Sequence, residues 1–261
     1  MIVLPPGDRI RLGQVALPEL GRSIVQAKEA SPVTYAYVSL EALLFELDLR
    51  SRIVESARAL YASGVKFATY TNSRCNEAYW LRTAEGGFRL RSGVASADAI
   101  RDIFVNGSLY AFECSMAMVL VVYRAVSEQI PRSAFNTYFN NLYLYDWQYD
   151  SDLGFIKGSR MLGAYPGDIF YFKNPDHNPA TPEWQGENGI MLGPDQFYGH
   201  GVGIRSSAGI IEALNRRRRP GSTVSAYMLD DVVYPNFEHI RSLSGVFARI
   251  GSQVYRRKPA V

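Results

Sequence analysis

The sequence is poor in the residues that build metal centres and disulfide frameworks. It has two cysteines, Cys75 and Cys114, and three histidines among 261 residues. They stand at no metal-ligand spacing, so neither a metal nor another cofactor is expected. Two cysteines do not make a disulfide scaffold, and a reducing compartment fits them better. No apolar run approaches the roughly 18 residues that a membrane span needs; Met116 to Tyr123 is unbroken but far shorter. A membrane partner is therefore not expected. An excess of one charge is missing too, since 28 Lys and Arg against 25 Asp and Glu leave a net charge of +3. So mild a basicity gives no reason to expect nucleic acid. Met1 to Gly7 lacks a charged start and a long enough apolar stretch for a signal peptide. The expectation is a protein made and used inside a cell, or released by a route other than secretion. Internal repeats and low-complexity segments are absent as well.

What is present is a large core. Hydrophobic residues make up 47% of the chain and charged ones 20%, which suits one domain, alone or with an extension. Residues 1–38 carry Pro5, Pro6, Pro18 and Pro32 and read as an irregular arm with one short helix. Ser39 is placed to cap a helix through Leu40, Leu43, Leu44 and Leu47. A second helical pattern runs through Ile53, Val54, Ala57, Leu60 and Tyr61 and ends at Gly64. Lys66 to Tyr70 predicts a strand, and Ala78 to Arg82 with Phe88 to Arg91 a hairpin turning at Gly86-Gly87. Ser96 could cap a helix that closes at Asn106-Gly107. Phe135 to Leu142 predicts a further helix, and Tyr143 to Trp147 a strand. Asp168 to Phe172, Gly189 to Leu192 and Phe197 to Ile204 predict three strands with short connections, hence an antiparallel sheet. Asn174 to Gly186 reads as a loop. Arg216 to Arg219 reads as a solvated turn, with docking to an acidic surface the lesser alternative. After Asp230 the chain runs to Arg256-Arg257-Lys258 without a legible motif.

The chemistry centres on the stretch from Tyr110 to Tyr123. As a helix it would be apolar on every side and buried all round. Cys114 would sit at its start, where unpaired N–H groups and the helix dipole favour a thiolate. The plainer reading is a small buried hydrophobe. A nucleophilic thiol needs a base and an orienting group. The candidates are Glu187 and His200 on the strand pair, with Glu113 beside the cysteine, although Glu113 could merely complement the helix start. If Leu192 pairs with Phe197 across the turn Gly193-Pro194-Asp195-Gln196, Glu187 faces Val202 and Gly189 faces His200. Glu187 and His200 would then be diagonal neighbours on one face.

Several stretches together resemble the spore-coat transglutaminases of Bacillus and their relatives. They are Lys66-Phe67-Ala68-Thr69, Tyr110 to Cys114, Leu144-Tyr145-Asp146-Trp147, Tyr171 to Pro175, Trp184 to Asn188 and His200 to Ile204. That family in turn resembles the NlpC/P60 cysteine peptidases, and Pro166 to Phe172 is similar to the first sheet strand of that fold. The resemblance implies an α+β fold with a papain-like core: an antiparallel sheet packed on a central helix that carries the catalytic cysteine, with additional helices. It implies one transglutaminase domain over residues 1–261, with an arm (1–38), a catalytic core (39–229) and a tail (230–261). Glu187 stands where the peptidases usually place histidine, and His200 where their third polar group sits. The implied activity is calcium-independent γ-glutamyl transfer: Cys114 attacks a protein glutamine, ammonia leaves, and a lysine amine takes the acyl group as an isopeptide. Phe67, Trp147 and Trp184 are the candidates for an aromatic substrate tunnel. The implied partners are glutamine-donor and lysine-acceptor proteins, those of the spore coat, and the chain is expected to be a monomer. Its implied place is the mother-cell cytoplasm during synthesis and the coat afterwards. Two other readings stay open: a cysteine amidase or peptidase acting on cell-wall peptides, and a catalytically inactive coat protein.

Overall fold

The arm pairs with itself before it meets the core. In the computed structural model, which describes residues 1–250 and 253–256, β1 (Ile2–Val3) runs parallel to β2 (Tyr35–Ala36). Between them lie α1 (Pro6–Leu12) and α2 (Glu19–Ala30), so the arm holds two helices rather than one. Ile2 and Ile24 close a small apolar cluster with Leu40, Leu43, Leu47 and Tyr165. Lys28 of α2 reaches inward to Glu46 at 2.6 Å, fixing the arm through a buried ion pair.

Ser39 caps α3 (Leu40–Ala62), its hydroxyl accepting the Ala42 N–H at 3.3 Å. The two helical patterns are one helix of 23 residues. The polar stretch that separated them contains Arg50, which is buried because Glu46 and Asp168 pair with it at 2.8 and 2.6 Å. The strand after α3 is short: β3 (Lys66–Phe67) gives way to a 3-10 turn at Tyr70–Asn72. The hairpin β4 (Trp80–Arg82) and β5 (Phe88–Leu90) is as expected. Ser96 does not cap α4 (Ser96–Val105). Its hydroxyl bonds Asn136 Oδ1, which also accepts the Ala97 N–H and so caps the helix from outside.

Next, β6 (Ala111–Phe112) pairs in parallel with β3 and delivers the chain to α5 (Cys114–Gln129). Met116 to Tyr123 are all buried, as a helix apolar on every side must be. Fully burying each large apolar side chain there is worth about 1.5–3 kcal/mol. α3 packs along α5. α6 (Arg132–Tyr138) begins and ends earlier than the pattern suggested, and β7 (Tyr143–Leu144) joins the small sheet beside β5.

The main sheet has six antiparallel strands. They are β8 (Ile156–Ser159), β9 (Ile169–Lys173), β10 (Gly186–Gly193), β11 (Gln196–Gly199), β12 (Gly203–Arg205) and β13 (Tyr227–Tyr234), ordered β12-β11-β10-β9-β13-β8. One face contributes Ile169, Ile190 and Tyr198 to the core around α5. The other contributes Phe170, Phe172 and Phe197 to a second cluster, covered by α7 (Ser207–Asn215). The expected strand over 197–204 is really two, separated by a turn at residues 200–202. Asp230 lies inside β13, so the division between core and tail expected there falls within a strand of the main sheet that is paired on both sides. α8 (Phe237–Leu243) then packs back on α3. The chain continues through the hairpin β14 (Val246–Ile250) and β15 (Gln253–Arg256). Arg257 and Lys258 lie outside the described residues.

Candidate active site

Cys114 is the first residue of α5 and only 4% exposed. The residue before it, Glu113, caps the helix: one carboxylate oxygen accepts the Ser115 N–H at 2.9 Å and the Ser115 hydroxyl at 2.8 Å. The other oxygen accepts the Cys114 thiol at 3.2 Å. On the thiol's far side the Asn188 side-chain amide donates to Sγ at 3.4 Å. Burial, followed by the charges of Glu187 and Glu113, pushes the thiol well above its ordinary value. This reverses the expectation that the helix start would favour a thiolate. The capping group is itself an anion, so it cancels the positive end of the helix where the sulfur sits.

The turn between β10 and β11 closes as expected, with Gly193 opposite Gln196 and Asp195 at a positive φ of 46°. A bulge at Leu192 then shifts the ladder by one residue, so Gly189 faces Gly199 and not His200. A one-residue slip moves every later side chain to the other face. Glu187 and His200 therefore do not share a face. Glu187 lies opposite Phe172, on the side of the second cluster, while its neighbour Asn188 turns to the thiol. The Gly201 N–H donates to the Glu187 carboxylate at 3.1 Å. Glycine is required on both flanks: a Cβ on Gly199 would stand 2.8 Å from Glu187 Oε1, and one on Gly201 2.9 Å from Oε2. Burial pushes Glu187, 1% exposed, up to about 8, with the Gly201 N–H opposing and the Glu113 charge adding to the shift.

His200 sits in the turn after β11. Its ring stacks on Phe112 at 5.0 Å and lies 6.2 Å from Phe67. Nε2 faces the Lys66 carbonyl at 3.3 Å, so that nitrogen carries the hydrogen, and Nδ1 accepts from the Tyr198 hydroxyl at 2.9 Å. Burial pushes His200 down to about 4, partly offset by the carbonyl. The residue is only partly buried, which moderates that shift, but the imidazole is neutral at pH 7 either way. Both ring nitrogens are occupied away from the sulfur.

A cavity of about 750 Å³ opens onto Cys114, with Tyr70, Trp147, Tyr171 and Asn188 among its walls. Of the three aromatic candidates, Trp147 lines it. Phe67 and Trp184 lie elsewhere, stacked on each other at 5.4 Å beside His200, with the Arg217 guanidinium 3.7 Å over the Trp184 ring.

A family model described as protein-glutamine gamma-glutamyltransferase matches residues 1–244. The chain belongs to the protein-glutamine gamma-glutamyltransferase family. A protein of that name from Bacillus mycoides is 45% identical over 210 residues, covering 80% of this chain and 75% of the relative. Another from Bacillus cereus is 46% identical over 200 residues, covering 76% and 71%. A solved transglutaminase from Geobacillus stearothermophilus, without its C-terminal extension, superposes with a TM-score of 0.75 at 50% identity. It covers 82% of this chain and all of that one.

Membership makes the chain an acyltransferase, a transglutaminase, of mixed α and β structure with an antiparallel sheet and several helices. For this transglutaminase, the structure brings Cys114, Glu113 and Asn188 into contact, with Glu187 within electrostatic reach and His200 apart. Asn188 was missed by the sequence reading. Its neighbour Glu187 drew attention, and strand alternation gives the thiol side to only one of the two. Cys75 is half-buried, its thiol pushed up to about 11 by burial. The basic run is less free than a solvated turn. Arg216 pairs with Glu212, Arg219 with Asp176 at 3.1 Å, Arg218 with the Val224 carbonyl, and Arg217 with the Trp184 ring. No helix among the described residues is long and apolar enough to cross a membrane.

Proposed function

We propose that Cys114 is the nucleophile of a calcium-independent transglutaminase that joins glutamine and lysine side chains of spore-coat proteins. The observation that carries the reading is the thiol hydrogen bond to Glu113 at the head of a buried helix, inside a cavity large enough for a peptide side chain. In the first half-reaction the thiol proton passes to Glu113 as sulfur attacks the glutamine carboxamide. Glu113 then returns it to the departing nitrogen, and ammonia leaves a thioester. In the second half a lysine amine must lose a proton as it attacks. The ionised form of Glu187, which gains weight as pH approaches about 8, takes that proton and passes it to the departing Cys114 thiolate. The two carboxyls thus share the proton work, and His200 is a neutral scaffold that holds Phe112 and Phe67.

Glutamine enters through the open cavity past Trp147. The amine arrives from the side of Phe67 and Trp184, whose stacked rings keep water from the thioester and accept a lysine stem. The core is of NlpC/P60 type, with Glu187 in place of the usual histidine. The chain acts as a monomer, and is made in the mother cell and assembled on the coat. Incorporation of a fluorescent cadaverine into a glutamine-rich protein tests the activity. Wild type should label it equally with and without EDTA, and Cys114→Ala should not. Labelling by Cys114→Ala would end this reading, and loss in EDTA would remove its calcium independence.

A further inference from the structure

We propose that the Asn188 side-chain amide, together with the Cys114 backbone N–H, binds the oxyanion formed when the thiol attacks the glutamine carboxamide. The inference rests on Cys114 being the nucleophile. Asn188 is 4% exposed, sits in the middle of a paired strand opposite Tyr171, and forms part of the cavity wall. A buried amide in that position is fixed before substrate arrives. Its orientation follows from hydrogen-bond bookkeeping. The thiol hydrogen goes to Glu113, so the sulfur can only accept on its other side, and only the N–H end of the amide can face it. The Cys114 N–H, at the first position of α5, has no intrahelical partner. The Glu113 cap serves the next residue, Ser115, instead.

The reaction then has a place for every charge. Sγ bonds to the carboxamide carbon, the thiol proton moves to Glu113, and the carbonyl π pair moves onto oxygen. That oxygen is held by a carbon bonded to Sγ, which the Asn188 amide already reaches at 3.4 Å, and binding by both donors requires it to lie about 3 Å from each. On collapse the pair returns, the C–N bond breaks, and nitrogen leaves as ammonia with the proton from Glu113. The same two donors serve when the amine adds to the thioester.

Asn188→Leu keeps the shape and removes the donor. It should lower kcat for cadaverine transfer by roughly 10²–10³-fold while KM stays within about threefold. The rate of Cys114 alkylation by iodoacetamide, which forms no oxyanion, should hardly change. Should kcat stay within a few-fold of wild type, or should alkylation fall in step with kcat, the proposal is overturned; the second result would make Asn188 a group acting on the sulfur. If circular dichroism shows that Asn188→Leu does not fold, Asn188→Ser is read by the same criteria. Cys114→Ala is run beside it, since activity there would show that the nucleophile was wrong, whatever the Asn188 variants do.

Discussion

Three of the buried carboxyls are treated in three ways. Glu46, Asp168 and Glu187 are 6%, 1% and 1% exposed. Glu46 touches two cations, Lys28 at 2.6 Å and Arg50 at 2.8 Å. Burial pushes it up, but Arg50 and Lys28 outweigh that and hold it down to about 2. Asp168 touches one cation, Arg50, and burial outweighs the pair, leaving it raised. Glu187 touches no cation among the described residues and is pushed up to about 8. The gradation separates a cluster whose charges are paired from a carboxyl, beside the thiol, that has no cation against it among the described residues. Where the arm meets the sheet, burial of charge is offset by partners. Beside the thiol no cation of the described residues pairs with Glu187 and the Gly201 N–H offsets burial only in part, which places a carboxyl in the range where it can trade a proton with sulfur or an amine.

The largest effect should come from removing both carboxyls near the thiol. Glu113→Gln with Glu187→Gln is expected to cut cadaverine transfer about 10⁴-fold, against only about 10-fold for either alone, because each can stand in for the other. Steady-state kinetics at one pH will check it. A double variant no worse than one of the singles, with the other single near wild type, would assign the proton work to one residue and dissolve the comparison.

The next effect belongs to the other cluster. Arg50→Met leaves Glu46 and Asp168 without their shared cation in the interior, and should cost about 3–5 kcal/mol in urea unfolding. Activity per folded molecule should hold, since the cluster lies away from the thiol cavity.

A smaller effect appears in stability against pH. The folded value of Glu187, about 8, is above its ordinary 4.5, so the folded state binds the extra proton between those values. Stability is therefore lost as pH rises through that window. His200 has the opposite sign: lowered from 6.5 to about 4, it adds stability as pH rises over that range. The two oppose each other up to the ordinary histidine value, and only the loss from Glu187 remains between about 6.5 and 8. Denaturation midpoints of the wild type should fall across that interval, and Glu187→Gln should flatten the fall. An unchanged slope in the variant would mean that Glu187 does not hold a proton in the folded state.

The sequence revealed whatever is written in local pattern. The buried helix, the position of Cys114 at its head, the antiparallel sheet and the turn at Pro194-Asp195 all follow from apolar periodicity and turn chemistry. It concealed what depends on partners far along the chain. Arg50 looked like an interruption between two helices because its partner Asp168 is 118 residues away. Ser96 looked like a cap because Asn136 could not be seen to do the work. The Leu192 bulge has no signature in its own residues, yet it moved His200 off the face of Glu187 and left Asn188 as the strand residue that touches the sulfur. The pH behaviour of the thiol was hidden for a related reason: the helix start argued for a thiolate, and the acidic cap argued against it more strongly.

The central claim is that carboxyls, with no contribution from an imidazole, govern the Cys114 proton. Its most direct test is the pH dependence of Cys114 alkylation by iodoacetamide in wild type, Glu113→Gln, Glu187→Gln and His200→Ala. The account predicts a wild-type titration above the ordinary thiol value. Glu113→Gln should shift it downward and react faster near neutral pH while turning over more slowly; Glu187→Gln should shift it downward only above about pH 8, where Glu187 carries its charge; and His200→Ala should leave it in place. A wild-type thiol that titrates near pH 7 or below, as in an ordinary cysteine–imidazolium pair, and moves upward in His200→Ala would contradict it.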